Sequence, residues 1–193
     1  MIENLIDFLQ NTIRLKRMVR SGWLYSGVPK SDVESVADHS YMVSLLSLIL
    51  ALNKKIKGEK INIEKVLIMA LIHDLPESVS QDIDRRIRKF SPDKYDAFKK
   101  ELDIKAFESL ISKLPSDFAN KLLPYYSEFL EGNSQEARIV IEADRLEILI
   151  QLQQYLQTGL DQELFQEFFD AFNKEKNSYK NDLVKKLAKH YLE

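Results

Sequence analysis

Four side chains in this sequence are placed to do chemistry: His39, the adjacent pair His73-Asp74, and Asp144. Each falls inside a segment with helical apolar spacing. An imidazole or carboxylate turned into such a segment is costly to bury unless something binds it. A divalent cation would satisfy all four at once, and imidazole and carboxylate are suitable ligands for Zn, Mn, Fe or Co. With only three His in the chain, three inward polar positions on three separate helices are hard to obtain from packing alone. Taken singly, each has an ordinary explanation. His39 alone reads as a hydrogen-bonded core residue, His73-Asp74 as a polar helix end, and Asp144 as the partner of Arg138 or Arg145.

The elements that must carry these residues are helices. Five Gly and five Pro in 193 residues disfavour a turn-rich all-β fold. Ser35-x-x-Asp38 forms a capping box that opens a helix to about Asn53, with His39, Met42, Val43, Leu46 and Leu50 on one face. A second helix is expected from about Asn62 to Asp74, with Val66, Met69, Ala70 and His73 together, stopped by Leu75-Pro76. Its partly negative C-terminal end mildly favours a cation beside His73 and Asp74. Asn133-x-x-Glu136 is expected to cap a long helix to about Gln157, with Ala137, Val140, Ile141, Asp144 and Ile148 inward. Helices are also expected over 3–20, from Ser91-Pro92 towards Leu114-Pro115, over Asp117 to Leu130, along Phe165, Phe168, Phe169 and Phe172, and over 178–191. Residues 21–30, with Gly22, Gly27, Pro29 and the one Trp, Trp23, read as a loop. The fold expected is all-α, a single domain over 1–193 of seven or eight helices.

Bulk composition narrows the function. There is no Cys, which removes disulfides, thiolate metal sites and a Cys nucleophile. A net charge of -2 gives no basic excess for a nucleic-acid polymer. No apolar run is read as approaching the roughly 18 residues that span a bilayer, and Glu3 and Asp7 interrupt any N-terminal leader pattern. A soluble cytoplasmic protein with no membrane partner is expected. The Phe165/168/169/172 stripe reads mainly as core, and the lysines of 174–189 as a solvated face. His190 lies far from the motif.

The segments Leu15-Lys16-Arg17…Arg20-Ser21-Gly22-Trp23, Glu34-Ser35-Val36-Ala37-Asp38-His39-Ser40, Met69-Ala70-Leu71-Ile72-His73-Asp74-Leu75-Pro76-Glu77 with Asp82-Ile83, and Ala143-Asp144-Arg145-Leu146-Glu147 occur in an order and spacing that resembles the HD-domain metal-dependent phosphohydrolases, and more closely their 5'-deoxynucleotidase branch. The resemblance covers roughly residues 5–160 and leaves about 161–193 without a motif. It implies an HD-type helical bundle, commonly a homodimer, in which the Phe stripe could belong to the dimer interface. It implies that His39, His73, Asp74 and Asp144 bind one divalent ion, with Mn or Co as examples. It implies Glu77 and Asp82 as catalytic acids, Arg20 as the phosphate contact, and Trp23 as the aromatic that shapes the sugar pocket. The substrate implied is a deoxyribonucleoside 5'-monophosphate, split to nucleoside and phosphate. Another phosphate ester (a triphosphate or cyclic nucleotide) and a catalytically silent nucleotide-binding module are the alternatives. Further His ligands, which a two-metal site would need, are lacking. Two positions depart from the family: Pro76 where Ala is usual, and Gln81 where Gly is usual. A sharp bend with φ > 0 at position 81 is harder for Gln than for Gly.

Overall fold

A computed structural model of the chain describes residues 2–175 and 177–192. Ten α-helices follow one another: α1 (Ile2–Thr12), α2 (Ser21–Tyr25), α3 (Val36–Ile56), α4 (Ile63–Ile72), α5 (Glu77–Ser80), α6 (Pro92–Ile111), α7 (Ser116–Glu131), α8 (Gln135–Gln157), α9 (Gln166–Glu175) and α10 (Asp182–Leu192). Tight 3-10 turns occupy Ile13–Lys16, Arg85–Phe90 and Gln162–Phe165. The all-α expectation holds, and the eight longer helices are the ones that periodicity can detect; α2 and α5, of five and four residues, are too short to show it.

Helices α3, α4 and α8 pack on one another to form the centre, α10 lies against α8, and α7 bridges α4 and α6. Val43, Leu46, Leu50, Val66, Met69, Val140, Ala143 and Leu146 fill the space between them. A second apolar cluster gathers Trp23, Val28, Val33, Leu152, Tyr155 and Phe165. A third joins Ile72 to Phe107, Ile111 and Tyr126.

Several boundaries move from their expected places, each for a local reason. The helix expected over 3–20 ends at Thr12 and tightens into the 3-10 turn. Val19 then makes an isolated antiparallel bridge with Ser35, which holds this segment against the start of α3. The loop expected over 21–30 contains α2, with Trp23 buried inside it. Helix α4 ends at Ile72, so His73 is its C-cap rather than a residue of its last turn. The N-cap of α8 is Ser134, not Asn133, because Ser134 Oγ takes the Ala137 N–H at 3.1 Å. Glu136 reaches instead to the backbone N–H of Asn62, the N-cap of α4, at 3.0 Å. The capping box at Ser35 and Asp38 forms as expected, with both reciprocal bonds present.

The reading of no bilayer-length apolar run needs correction. Val36–Ile56 is long and apolar enough to cross a membrane by length and composition alone. Its place in the fold explains that composition. One face (Val36, His39, Val43, Leu46, Leu50) is buried against α4 and α8. The opposite face exposes Tyr41, Leu45, Ile49, Leu52 and Ile56.

Candidate metal centre

The capping box of α3 sets His39 one turn inside the helix, fully buried. Its Nε2 lies 3.1 Å from Asp144 Oδ1 on α8 and 3.5 Å from Asp74 Oδ2 at the end of α4. His73 Nε2 lies 3.3 Å from the same Asp74 oxygen. The donor atoms of His39, His73 and Asp74 are all within 4.8 Å of one another. Four residues up to 105 positions apart therefore converge because α3, α4 and α8 pack together. The direct partners of the two nearby arginines lie elsewhere: Arg138 bonds the Gly132 carbonyl, and Arg145 pairs with Glu175, with Asp144 acting on Arg145 only through its charge.

The donor set fits a divalent ion. His73 Nδ1 lies 2.8 Å from the Ala70 carbonyl and His39 Nδ1 2.5 Å from Glu147 Oε2, so in the neutral rings each Nδ1 carries the proton and each Nε2 a lone pair. Both Nε2 atoms are buried without a hydrogen-bond partner. An orphaned polar atom of this kind costs about 1–3 kcal/mol. The electrostatics agree. Burial and Arg20 push the His39 imidazole down, but Asp144 and Glu147 outweigh them and raise it to about 10. Burial works against the Asp74 charge, yet His73, Arg20 and His39 hold that carboxyl far below the ordinary range. Asp144, raised by burial, is drawn down to about 2 by His39 and His73. The pocket is rich in negative charge, which favours a cation within it.

Acids and bases surround this set. Glu77 opens α5 just past Pro76 and is buried, with Oε2 unpartnered. Burial and the neighbouring Asp74 push its carboxyl well above the usual range, and Arg20 and Lys99 offset this only in part. Lys99 of α6 stands 3.9 Å from Glu77 Oε1 and is held at 2.6 Å by Asp103. Arg20 places Nη1 3.1 Å from Asp74 Oδ2 and 3.8 Å from Asp82 Oδ1. Asp82 turns inward and accepts the backbone N–H of Ser21. Gln81 makes that turn possible despite its side chain, adopting φ 71° and ψ 155°. It is the one non-glycine among the described residues with positive φ.

Trp23 does not sit where the resemblance places it. It is 2 % exposed, stacked on Phe168 at 4.4 Å and edge-on to Tyr155 and Phe165. Its indole N–H donates to Glu34 Oε1 at 2.7 Å, so it faces the core rather than a sugar pocket. The Phe stripe is also core for the most part, with Phe165 and Phe172 buried and Phe168 half-buried on Trp23. Sequence reasoning missed Glu147, Glu34 and Lys99 as neighbours of the site. For Glu147 a signal existed, since a residue three after Asp144 shares its helix face.

A family model for the HD domain matches residues 12–187. The chain is 30% identical to the 5'-deoxynucleotidase HDDC2 of Bos taurus over 79% of its own length and 68% of that protein's. It is 32% identical to the 5'-deoxynucleotidase VV1113 of Vibrio vulnificus over 58% of each. Among solved structures, a conserved hypothetical protein of Pyrococcus furiosus superposes with a TM-score of 0.76 at 32% identity, covering 95% of this chain and 99% of that one. The PH0347 protein of Pyrococcus horikoshii gives 0.74 at 30% identity, covering 98% and 99%.

Proposed function

The chain belongs to the HD domain family, and on that premise we propose that it is a metal-dependent phosphohydrolase converting deoxyribonucleoside 5'-monophosphates to nucleoside and inorganic phosphate. The observation that carries this reading is the pair of buried imidazoles, each with Nδ1 engaged and Nε2 facing Asp74 or Asp144 without a hydrogen bond. His39, His73, Asp74 and Asp144 are the proposed ligands of one divalent ion. When bound, that ion neutralises phosphoryl charge and lowers the pKa of a water. The relatives named 5'-deoxynucleotidases support the substrate class.

The chain's own residues supply the rest. Arg20 offers two-pronged donors to a phosphate and is kept beside the pocket by Asp74 and Asp82. Glu77, whose carboxyl burial and Asp74 raise well above the usual range, is placed to give a proton to the departing 5'-oxygen. Asp82 fixes the Ser21 backbone and so the position of Arg20. The inward turn of Asp82 despite Gln81 weakens the catalytically silent alternative, which rested on that departure and on Pro76. The test is phosphate release by the purified protein with Mn or Co against a panel of ribo- and deoxyribonucleotides. Turnover of triphosphates or cyclic nucleotides above that of every monophosphate would replace the substrate assignment, and no release from any of them would remove the enzymatic one.

A homodimer in the cytoplasm is part of the same proposal. The outer face of α3 supports the dimer. Between Asp38 and Lys54 the helix carries no Asp, Glu, Lys or Arg, and Tyr41 (68 % exposed), Leu45, Ile49 and Leu52 form an apolar stripe along it. Light scattering should give twice the chain mass, and Leu45→Glu should halve it; a monomeric wild type would refute the dimer. Cell fractionation tests the location.

A further inference from the structure

His39 is held on both sides by one helix. Asp144 and Glu147 are three residues apart on α8 and so share a face. Asp144 Oδ1 stands 3.1 Å from His39 Nε2, and Glu147 Oε2 stands 2.5 Å from Nδ1. Glu147 is 2 % exposed. Behind it lies a second buried carboxylate, Glu34, whose ligand atoms fall within the same 4.8 Å group as those of His39 and Glu147. Glu34 is fixed from three directions. Its Oε1 accepts the Trp23 indole N–H at 2.7 Å, its backbone N–H donates to Tyr155 Oη at 3.0 Å, and its carbonyl accepts the Arg20 N–H at 3.0 Å.

Two buried carboxylates are not a stabilising choice for a core, since apolar residues of similar volume generally serve as well or better. Nor does the Glu34–His39–Glu147 group read as a second cation site, because the Trp23 and His39 N–H groups already fill it. Its chemistry points at the ring of His39. A neutral imidazole has one N–H. An anionic acceptor on Nδ1 keeps that proton there, leaves the lone pair on Nε2, fixes the ring plane and makes Nε2 a better donor to a metal.

Resting on the metal-centre reading above, we infer that Glu147 is a positioning residue that tunes and orients His39 as a ligand.

The probe is zinc, added to the metal-free full-length protein and read by competition with a chromophoric chelator. Glu147→Gln keeps an acceptor but loses the charge, and a fall in zinc affinity of about tenfold is expected; Glu147→Leu removes the acceptor and should lose up to about 100-fold. A second readout is the ring proton of His39 by NMR. In the zinc-loaded wild type, a far-downfield proton on Nδ1 is expected, displaced upfield in Glu147→Gln and absent in Glu147→Leu. If Glu147→Leu fails to fold, Glu147→Gln decides alone. Wild-type affinity and an unmoved His39 proton in Glu147→Gln overturn the inference while leaving the metal centre standing. Zinc bonded to Nδ1, read from nitrogen shifts, also overturns it. Absence of zinc binding by the wild type overturns the metal-centre reading itself.

Discussion

Replacing Gln81 by Gly should stabilise this protein, although glycine substitutions in loops ordinarily do the reverse. At φ 71° and ψ 155°, Gln81 occupies a region of backbone space that is essentially reserved for glycine. A side chain held there costs about 1–3 kcal/mol. Removing it returns that strain but widens the unfolded ensemble, at about 0.4–1 kcal/mol. The Gln81 side chain is exposed, and the bond that closes the turn, from its N–H to the Glu77 carbonyl at 2.8 Å, is a backbone one that glycine retains. The net expectation for Gln81→Gly is a gain of about 1 kcal/mol, from the difference of those two effects. For a chain of this size that is a rise in Tm of roughly 2–4 °C. Urea unfolding of chelator-treated protein measures it without linkage to bound ions, and an unchanged m value shows that the midpoint shift is a change in stability and not in the surface exposed. Gln81→Ala is the control: its Cβ keeps the strain, so its stability should match the wild type. A Gln81→Gly protein less stable than wild type, or an alanine variant as stabilised as the glycine one, would refute the strain argument.

Four further outcomes are expected. His73→Ala and Asp74→Ala should each abolish Mn or Co uptake, measured by equilibrium dialysis, together with phosphate release; retention of stoichiometric metal by either would remove that residue from the ligand set. Glu77→Gln should keep the metal but lose about 10²–10⁴ in kcat, the usual worth of a positioned proton donor, and turnover near wild type would discharge Glu77 from that role. Glu34 should give the metal-free protein a pH dependence. Its carboxyl is raised to about 7, chiefly by burial and then by Glu147; the native state therefore binds the proton more tightly than the unfolded chain, and stability falls as pH rises from about 4.5 to 7. In Glu34→Gln, urea unfolding should show that decline flattened over this window, and an identical slope would show that another group causes it. Trp23→Phe should leave the ratio of deoxyribo- to ribonucleotide turnover unchanged, because the indole faces Phe168 and Glu34; a relaxed ratio in steady-state assays would return the ring to the sugar pocket.

The proposed ligand set stands out in the chain because its members interrupt an apolar period: His39 among Val43, Leu46 and Leu50, and Asp144 among Val140, Ile141 and Ile148. The capping box of α3 is equally local, since both partners lie within four residues. What escaped depends on contacts across long separations. Glu147 looks like any helix acid until α3 supplies His39 108 positions away. Lys99 and Glu34 gain meaning only when α6 and the segment before α3 close around the pocket. Trp23 was misplaced because spacing fixes the neighbourhood of a side chain but not which way a short helix turns it. Gln81 shows the opposite case. The sequence departs from the glycine usual there, yet the backbone adopts the positive φ all the same, because Asp82 is tied to Ser21 and Gln81 N–H to Glu77 on either side of the bend.

The packing of α3 on α8 and α4 also decides when the pocket can exist during folding. Its corners come from residues 39, 73–74 and 144, so no partial assembly of neighbouring helices contains it. A chain that has formed α3 and α4 without docking α8 has two imidazoles and one carboxylate but neither Asp144 nor the acid that aligns His39. An ion held by the full set is therefore a clamp on global unfolding: each tenfold excess over its dissociation constant adds about 1.4 kcal/mol to the whole domain.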